Sequence, residues 1–171
     1  MDIQPIGVGY FGNIYDQFKG KVKEAFEFLI TNKGGDLLGV FHRDELGDID
    51  LVWGSDKEER GLEHIIQKHI VRIHDFPSIE EAETIIEEVI KNGKIVKNKW
   101  DKVTIIRAGF KVVVRKNVRD DHGEIVDEKK NWVVTSFDDN RPKSQKKASA
   151  TTLATPDSNS GGRAVASDAV S

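Results

Sequence analysis

The chain has no cysteine among its 171 residues, which excludes a disulfide framework and a thiolate metal site. No apolar run approaches the roughly 18 residues that a membrane-spanning helix needs, and no basic-then-apolar start marks a secretory signal. No large excess of either charge is present either: the formal net charge is −3, so any contact with nucleic acid must come from a local basic patch. These absences predict a cytoplasmic protein without a membrane partner.

Composition divides the chain into three predicted segments. Residues 1–18 mix glycines with aromatic side chains, which predicts an irregular N-terminal arm. Residues 19–137 alternate helical and strand periodicities and predict one folded domain. Residues 138–171 are rich in small and polar side chains. Because they cannot bury enough apolar surface to offset the entropy of ordering, we expect a disordered tail or linker.

Within the folded segment, apolar spacing predicts three helices and several strands. The helices follow residue 19, cover 60–71 and cover 79–91, the last one starting at a capping box of Ser78 and Glu81. Alternation predicts strands at 36–43, 48–53, 102–107, 110–116 and 131–137. The order predicts an α+β fold, with N-terminal helices on one face of an antiparallel sheet of four or more strands. The other face would be open for a ligand.

His64 is the residue with the clearest chemical potential. It lies in the first turn of the second predicted helix, where unpaired N–H groups welcome an anion such as a phosphate. The partial positive charge of a helix start also favours neutral imidazole. On an α-helical wheel His64 and Lys68 share the side opposite to Leu62, Ile65 and Ile66. We therefore expect His64 to face solvent, as either a surface residue or a functional one.

The other histidines do not predict a metal site. His64, His69 and His74 recur every five residues, which turns an α-helix by about 140° per step. They therefore could not converge on one ion, and no metal or other cofactor is expected. His69 falls on the apolar face, where a packed histidine with one satisfied hydrogen bond is the simpler interpretation.

Cationic side chains alternate with apolar ones along 110–116. Lys111 and Arg115 should face the open side of the sheet, where Arg43 would add to them. Such a patch could stabilise the charge of a phosphoryl-transfer transition state. The alternative is a solvated face with ordinary salt bridges to Asp48 or Asp50.

Two further segments hold candidates for substrate contact. Thr135 and Ser136 supply one hydroxyl to each face of the last predicted strand. Trp53 could stack a nucleobase, although its alternation with Ile49 and Leu51 favours burial.

Four segments in order carry a family resemblance: FKGKVKEAFEFLITNKGGDLLGVFHRDELGDIDLVWG, GLEHIIQKH, EEAETIIEEVIKNGKIV and NWVVTSF. Residues 11–137 resemble the barnase/colicin-type endoribonuclease domain of mobile elements, within the barnase, EndoU, colicin and RelE-like group. The resemblance implies metal-independent RNA cleavage on an exposed sheet face, through attack of the ribose 2′-hydroxyl on the adjacent phosphorus.

The resemblance also suggests roles for individual residues. Matched positions assign His64 as general base or acid and Thr135 as a phosphate-contacting hydroxyl. To the catalytic set we add Lys111 as a cation, and we expect RNA contacts from the residues already singled out: Arg43, Lys68, Arg115, Ser136, His69 and Trp53. His69 is further considered as a second proton shuttle.

Two functional hypotheses follow. The first is an endoribonuclease acting as a toxin or effector module, with RNA as substrate and an immunity protein or antitoxin as partner. The second is a non-catalytic module on the same scaffold that binds nucleic acid or protein. The net negative charge of the chain favours the second, because non-specific RNA affinity relies on cations.

Overall fold

The computed structural model describes residues 3–99 and 101–140. Its contacts divide the chain into two units, Met1–Phe137 and Asp138–Ser171, and the site described below belongs to the first. The predicted disordered tail lies outside the described residues except for its first three positions, so it stays a prediction.

Three helical segments form where apolar periodicity predicts them. Helix α1 covers Val22–Asn32 and helix α3 covers Ile79–Asn92. Helix α2 begins as a single α-helical turn, Leu62–His64, and continues as a π-helix over Ile65–Arg72. Ser78 caps α3 as expected, because its Oγ accepts a hydrogen bond from the backbone N–H of Glu81 at 3.2 Å.

Ten strands occur in the described residues: β1 (Gly7–Gly9), β2 (Gly12–Tyr15), β3 (Asp36–Arg43), β4 (Gly47–Val52), β5 (Lys94–Lys99), β6 (Lys102–Arg107), β7 (Phe110–Arg115), β8 (Val118–Arg119), β9 (Ile125–Asp127) and β10 (Trp132–Asp138). Eight of them form one sheet in the order β1-β2-β3-β4-β10-β7-β6-β5, and β8 pairs with β9. The large sheet is mostly antiparallel, but β2 runs parallel to β3 and β10 runs parallel to β4. The chain is therefore α+β, as predicted.

The helices cover one face of the sheet and build the main core there. Helix α3 packs on β3, β6 and β7, and α1 packs on β3 and α3. Phe26, Leu37, Leu51 and Ile86 are fully buried in this core. The alternation predicted for β4 is confirmed, since Ile49 and Leu51 point into the core.

The opposite face is not the open surface that the sequence suggests. A second apolar cluster of Val52, Val118 and Trp132 is buried there, with Phe11 packed against it. Next to it Lys129 is buried between two carboxylates, with its Nζ 2.8 Å from Asp36 and 2.6 Å from Asp50. The prediction is wrong in this respect because loop residues far along the chain cover the polar side of β4.

The N-terminal residues are also more regular than expected. Strands β1 and β2 form an antiparallel hairpin, and Ile14 of β2 pairs with Asp36 of β3. Gly12 adopts a φ of 107° directly after the turn of this hairpin, a conformation that glycine tolerates best. The prediction of an irregular arm fails for residues 7–15, because Gly7, Gly9 and Gly12 lie in the strands while Tyr10 and Phe11 form the turn between them.

Candidate functional site

A tight turn between β4 and α2 organises the candidate site. Ser55 and Arg60 pair across it, with the Ser55 N–H donating to the Arg60 carbonyl at 2.8 Å. Gly54 and Gly61 both have positive φ, and a Cβ on Gly54 would overlap the carbonyl oxygen of Arg60. The Gly61 N–H donates to Val134 at 2.8 Å, which fixes the start of α2 against β10.

This turn places Asp56 beside His64. The Asp56 Oδ1 atom lies 3.2 Å from the His64 Nδ1 atom. Arg72 holds the same carboxylate in a bidentate pair at 2.9 and 3.0 Å. Arg72 and, secondarily, His64 keep the pKa of Asp56 below its usual range. An ionised Asp56 accepts the hydrogen of Nδ1, so the lone pair of neutral His64 resides on Nε2.

His64 itself is buried rather than solvent-facing, with 3 % of its surface exposed. Burial lowers the pKa of His64 from 6.5 to about 4, and the charges of His69 and Lys68 act in the same direction against the opposing effect of Asp56. The imidazole is therefore neutral at pH 7. The sequence predicts that neutral state correctly, but it attributes it to the helix start instead of to burial.

The π-helical part of α2 explains why the helical wheel misplaces His64. A π-helix bonds residue i to i+5, and here the Ile73 N–H donates to Lys68 at 2.9 Å. Residues five apart therefore lie nearly above one another, as residues four apart do in an α-helix. The rings of His64 and His69 meet edge to face, with centroids 5.3 Å apart.

His69 lies on the buried face, as its position among apolar residues predicts. Its Nδ1 atom is 2.7 Å from the Asp75 Oδ2 atom, and both side chains are almost fully buried. The ring also stacks on Phe137, with centroids 5.7 Å apart. These contacts anchor α2 to β10 and hold His69 against His64.

Strand β10 brings Thr135 to the same side of the sheet as the helices. Val133 lies in the main core, and Thr135 is two residues further along the strand, so both side chains share a face. The Oγ1 atom of Thr135 is buried and has no hydrogen-bond partner among the described residues. Ser136 points the other way, is fully buried and donates to the Lys111 carbonyl at 2.7 Å, so this hydroxyl is already used.

The cations predicted to join His64 do not assemble around it. Arg43 donates to the Ile90 and Gly93 carbonyls at the end of α3, at 3.1 and 2.6 Å, and so stabilises unpaired helix carbonyls. Lys111 and Arg115 alternate with Val112 and Val114, which lie in the main core.

The side chains of Lys111 and Arg115 are therefore on the face of the sheet opposite to Thr135. The prediction of one combined site is wrong because β7 and β10 direct these residues to opposite sides of the sheet. Lys68 does lie near enough to His64 to lower its pKa.

Comparison with protein families shows to which family the chain belongs. The model of the phage-Barnase-EndoU-ColicinE5/D-RelE like nuclease family matches residues 40–143. The chain belongs to this nuclease family. The match confirms the resemblance and includes every candidate site residue named from the sequence. Searches of curated proteins and of solved structures returned no match.

Sequence reasoning missed the partners of the two histidines in this nuclease. Asp56 and Arg72 orient His64, and Asp75 orients His69. Asp56 lies in the charged run before α2. In the sequence, this run indicates only that a helix begins after it. A carboxylate at this point could have been considered as a histidine partner, but the π-helix that brings Arg72 to it leaves no signal in the apolar pattern.

Two concave regions flank the turn of the nuclease. A groove of about 370 Å³ is lined by Arg60, Arg115 and Arg119 together with Trp132. Four acidic residues also line it: Glu58, Glu59, Asp120 and Asp121. The groove therefore has no surplus of positive charge.

A pocket of about 310 Å³ lies on the other side of Glu58 and is bordered by Trp53. Trp53 is half-buried and packs against the main core, as its alternation predicts. In the described part of the chain, no group of three or more His, Asp or Glu residues could hold a metal ion. No helix there is long and apolar enough to cross a membrane.

Proposed function

We propose that this nuclease is a metal-independent endoribonuclease and a toxin or effector module of a mobile element. Its substrate would be RNA in the cytoplasm of a target cell, and its partner an immunity protein or antitoxin. The ribose 2′-oxygen attacks the adjacent phosphorus while the bond from phosphorus to the 5′ oxygen breaks. The products are a 2′,3′-cyclic phosphate and a 5′-hydroxyl.

The observation that carries this proposal is the Asp56–His64 pair. Asp56 accepts the Nδ1 hydrogen of His64, so Nε2 is the nitrogen that takes the 2′ proton. The low pKa of His64, about 4, keeps the base in its active neutral form at neutral pH. Asp56 is a positioning residue, because it acts on the ring and not on RNA, and Arg72 holds Asp56 in place.

A second proton must reach the leaving 5′ oxygen. We assign this transfer to His69, since its ring lies against His64 and its Nδ1 atom is held by Asp75, which leaves Nε2 for the transfer. The buried Thr135 hydroxyl, which has no hydrogen-bond partner among the described residues, is assigned to a non-bridging phosphate oxygen. Lys68 contributes positive charge near the same base.

Substrate reaches His64 from the side of its more exposed neighbours. The side chains of Asp56 and Arg72 are 28 % and 49 % exposed, against 4 % for His64. A phosphate would therefore meet the Arg72 guanidinium first and be drawn toward the turn. The proposal requires that the side chains around the buried imidazole move when the ribose binds.

One observation favours a second candidate function, a non-catalytic module that binds nucleic acid or protein. The burial of His64 and the mixed charge of the groove lined by Arg60, Arg115 and Arg119 suit recognition of a specific partner better than general RNA affinity. This alternative predicts binding without turnover.

The deciding experiment follows end-labelled RNA with the full chain in excess EDTA. The wild type should leave 2′,3′-cyclic phosphate ends. His64→Asn should not cleave, because asparagine keeps an N–H directed at Asp56 but has no basic nitrogen. His42→Ala is the matched control, since His42 is exposed on β3, and it should cleave normally.

The other possible results would overturn the mechanism or support the alternative function. Cleavage only after addition of Mg²⁺, or equal cleavage by the wild type and His64→Asn, would overturn the mechanism. Tight RNA binding with no cleavage by any variant would establish the binding module instead.

A further inference from the structure

The N-terminal hairpin and the turn before α2 border an open pocket that no part of the proposed chemistry uses. It has a volume of about 310 Å³ and is lined by Tyr10, Phe11 and Trp53, with Lys33, Ser55 and Glu58 among the polar residues around them. We propose that this pocket takes one nucleobase of single-stranded RNA. The inference rests on the proposed ribonuclease function and identifies what positions the RNA.

The aromatic side chains of the pocket are held in place before any ligand arrives. Tyr10 and Phe11 meet edge to face with centroids 5.2 Å apart. The Arg60 guanidinium lies over both rings, at 5.3 and 5.8 Å from their centroids. Arg60 also donates to the Tyr10 hydroxyl at 3.2 Å. Fixed rings lose little entropy when a flat ligand stacks on them.

The polar groups around the pocket match the chemistry of a nucleotide. The Glu58 carboxylate already accepts hydrogen bonds from Arg60 and from the Tyr10 hydroxyl. It is partly exposed, and its remaining lone pairs can accept from the N–H groups on a base edge. Lys33 follows the end of α1 and is exposed, so its ammonium can reach a phosphate. Unstacked bases of single-stranded RNA bind by this combination of aromatic stacking and contacts to the base edge.

The position of the pocket relates it to the proposed catalytic base. Ser55 and Glu58 line the pocket, while Asp56 between them bonds His64. A base bound here would therefore hold the RNA next to the turn that orients the imidazole. Tyr10, Phe11 and Lys33 lie outside the residues matched by the family model, 40–143.

The test measures binding of single-stranded hexanucleotides made of 2′-O-methyl RNA, which lack the attacking hydroxyl and stay intact. Calorimetry would compare the normal hexamer with one in which every base is absent. The normal hexamer should bind wild type at least tenfold more tightly, since one base–aromatic stack contributes about that much. Tyr10→Ala and Trp53→Ala should reduce this ratio to near one.

Controls separate the pocket from the fold and from cleavage. Ile6→Ala changes an exposed residue of the same N-terminal region that does not line the pocket, and it should keep the tenfold ratio. His42→Ala should also bind like the wild type, because His42 lies on β3 and does not line the pocket. Tyr10 is 43 % exposed, so Tyr10→Ala should fold even if Trp53→Ala does not.

Equal affinity of wild type for the normal and abasic hexamers would overturn the inference. An unchanged ratio in a folded Tyr10→Ala protein would overturn it as well. A tenfold ratio in a chain that never cleaves RNA would support the pocket while refuting the proposed function, so the two failures are distinguishable.

Discussion

The burial of His64 predicts that the protein loses stability as the pH falls below neutral. The pKa of the imidazole is about 4 in the folded chain and 6.5 in the ordinary exposed state. Between these values the unfolded chain binds a proton that the folded chain does not, so the free energy of unfolding decreases as pH falls from 6.5 to 4. Below pH 4 both states are protonated and this contribution is fully lost.

The magnitude follows from the difference between the two pKa values. One pKa unit corresponds to 1.36 kcal/mol, so the contribution of His64 is about 3 kcal/mol at full protonation. That is a large share of the roughly 5–15 kcal/mol by which native domains are stable. The effect should therefore be visible in ordinary urea unfolding curves.

The assay compares wild type with His64→Asn at several pH values from 7 to 4. Asparagine removes the titrating group but keeps a donor for Asp56. Asp36 has a pKa raised chiefly by burial, which acts in the opposite direction, but it is present in both proteins and cancels in the comparison. The wild type should lose about 3 kcal/mol more than the variant over this range.

A direct measurement of the ring decides whether the reasoning holds. The Cε1 proton of His64, assigned by its absence from the variant, should shift with a midpoint near pH 4 in NMR spectra. A midpoint at 6.5 or above, or parallel stability curves for the two proteins, would show that the imidazole is not desolvated and would refute the argument.

Two further predictions concern buried polar groups. Lys129→Met should lower the free energy of unfolding at pH 7 by about 3–5 kcal/mol, because Asp36 and Asp50 would remain buried without their cation. Urea unfolding measures this loss, and Lys130→Met, at an exposed position, is the control. A loss below about 1 kcal/mol would contradict the prediction. Thr135→Val should raise stability by about 1 kcal/mol, since a buried hydroxyl oxygen without a described partner is removed. It should also lower RNA cleavage, and a variant that is less stable yet fully active would refute both assignments.

The secondary structure was largely predictable from local patterns. The strands at 36–43 and 102–107 were predicted with the bounds that the structure has, and α3 differs by one residue at its end. These elements have strict periodicity and strong end signals. The short strands β1, β2, β8 and β9 were missed, because two to four residues are too few to establish alternation. The six-residue β5 was missed as well, because its apolar residues Ile95 and Val96 are adjacent and do not alternate with polar ones.

The candidate site was predictable only in part. The residue types in the second helical segment identified His64 and His69 as the histidines to examine, and the periodicity placed His69 on the buried face. The same periodicity put His64 in solvent, because it assumed α-helical geometry throughout. The i to i+5 hydrogen bonding of the π-helix instead places His69 against the His64 ring.

By itself, the sequence determined the α+β class, the helices and most of the longer strands, and the nuclease family to which residues 40–143 belong. These properties depend on short-range spacing and on ordered segments of the chain. Tertiary structure alone decided which groups meet: Asp56 with His64, and Lys129 with Asp36, 93 residues away. Such pairs depend on burial and on the order of strands in the sheet, which local patterns do not encode.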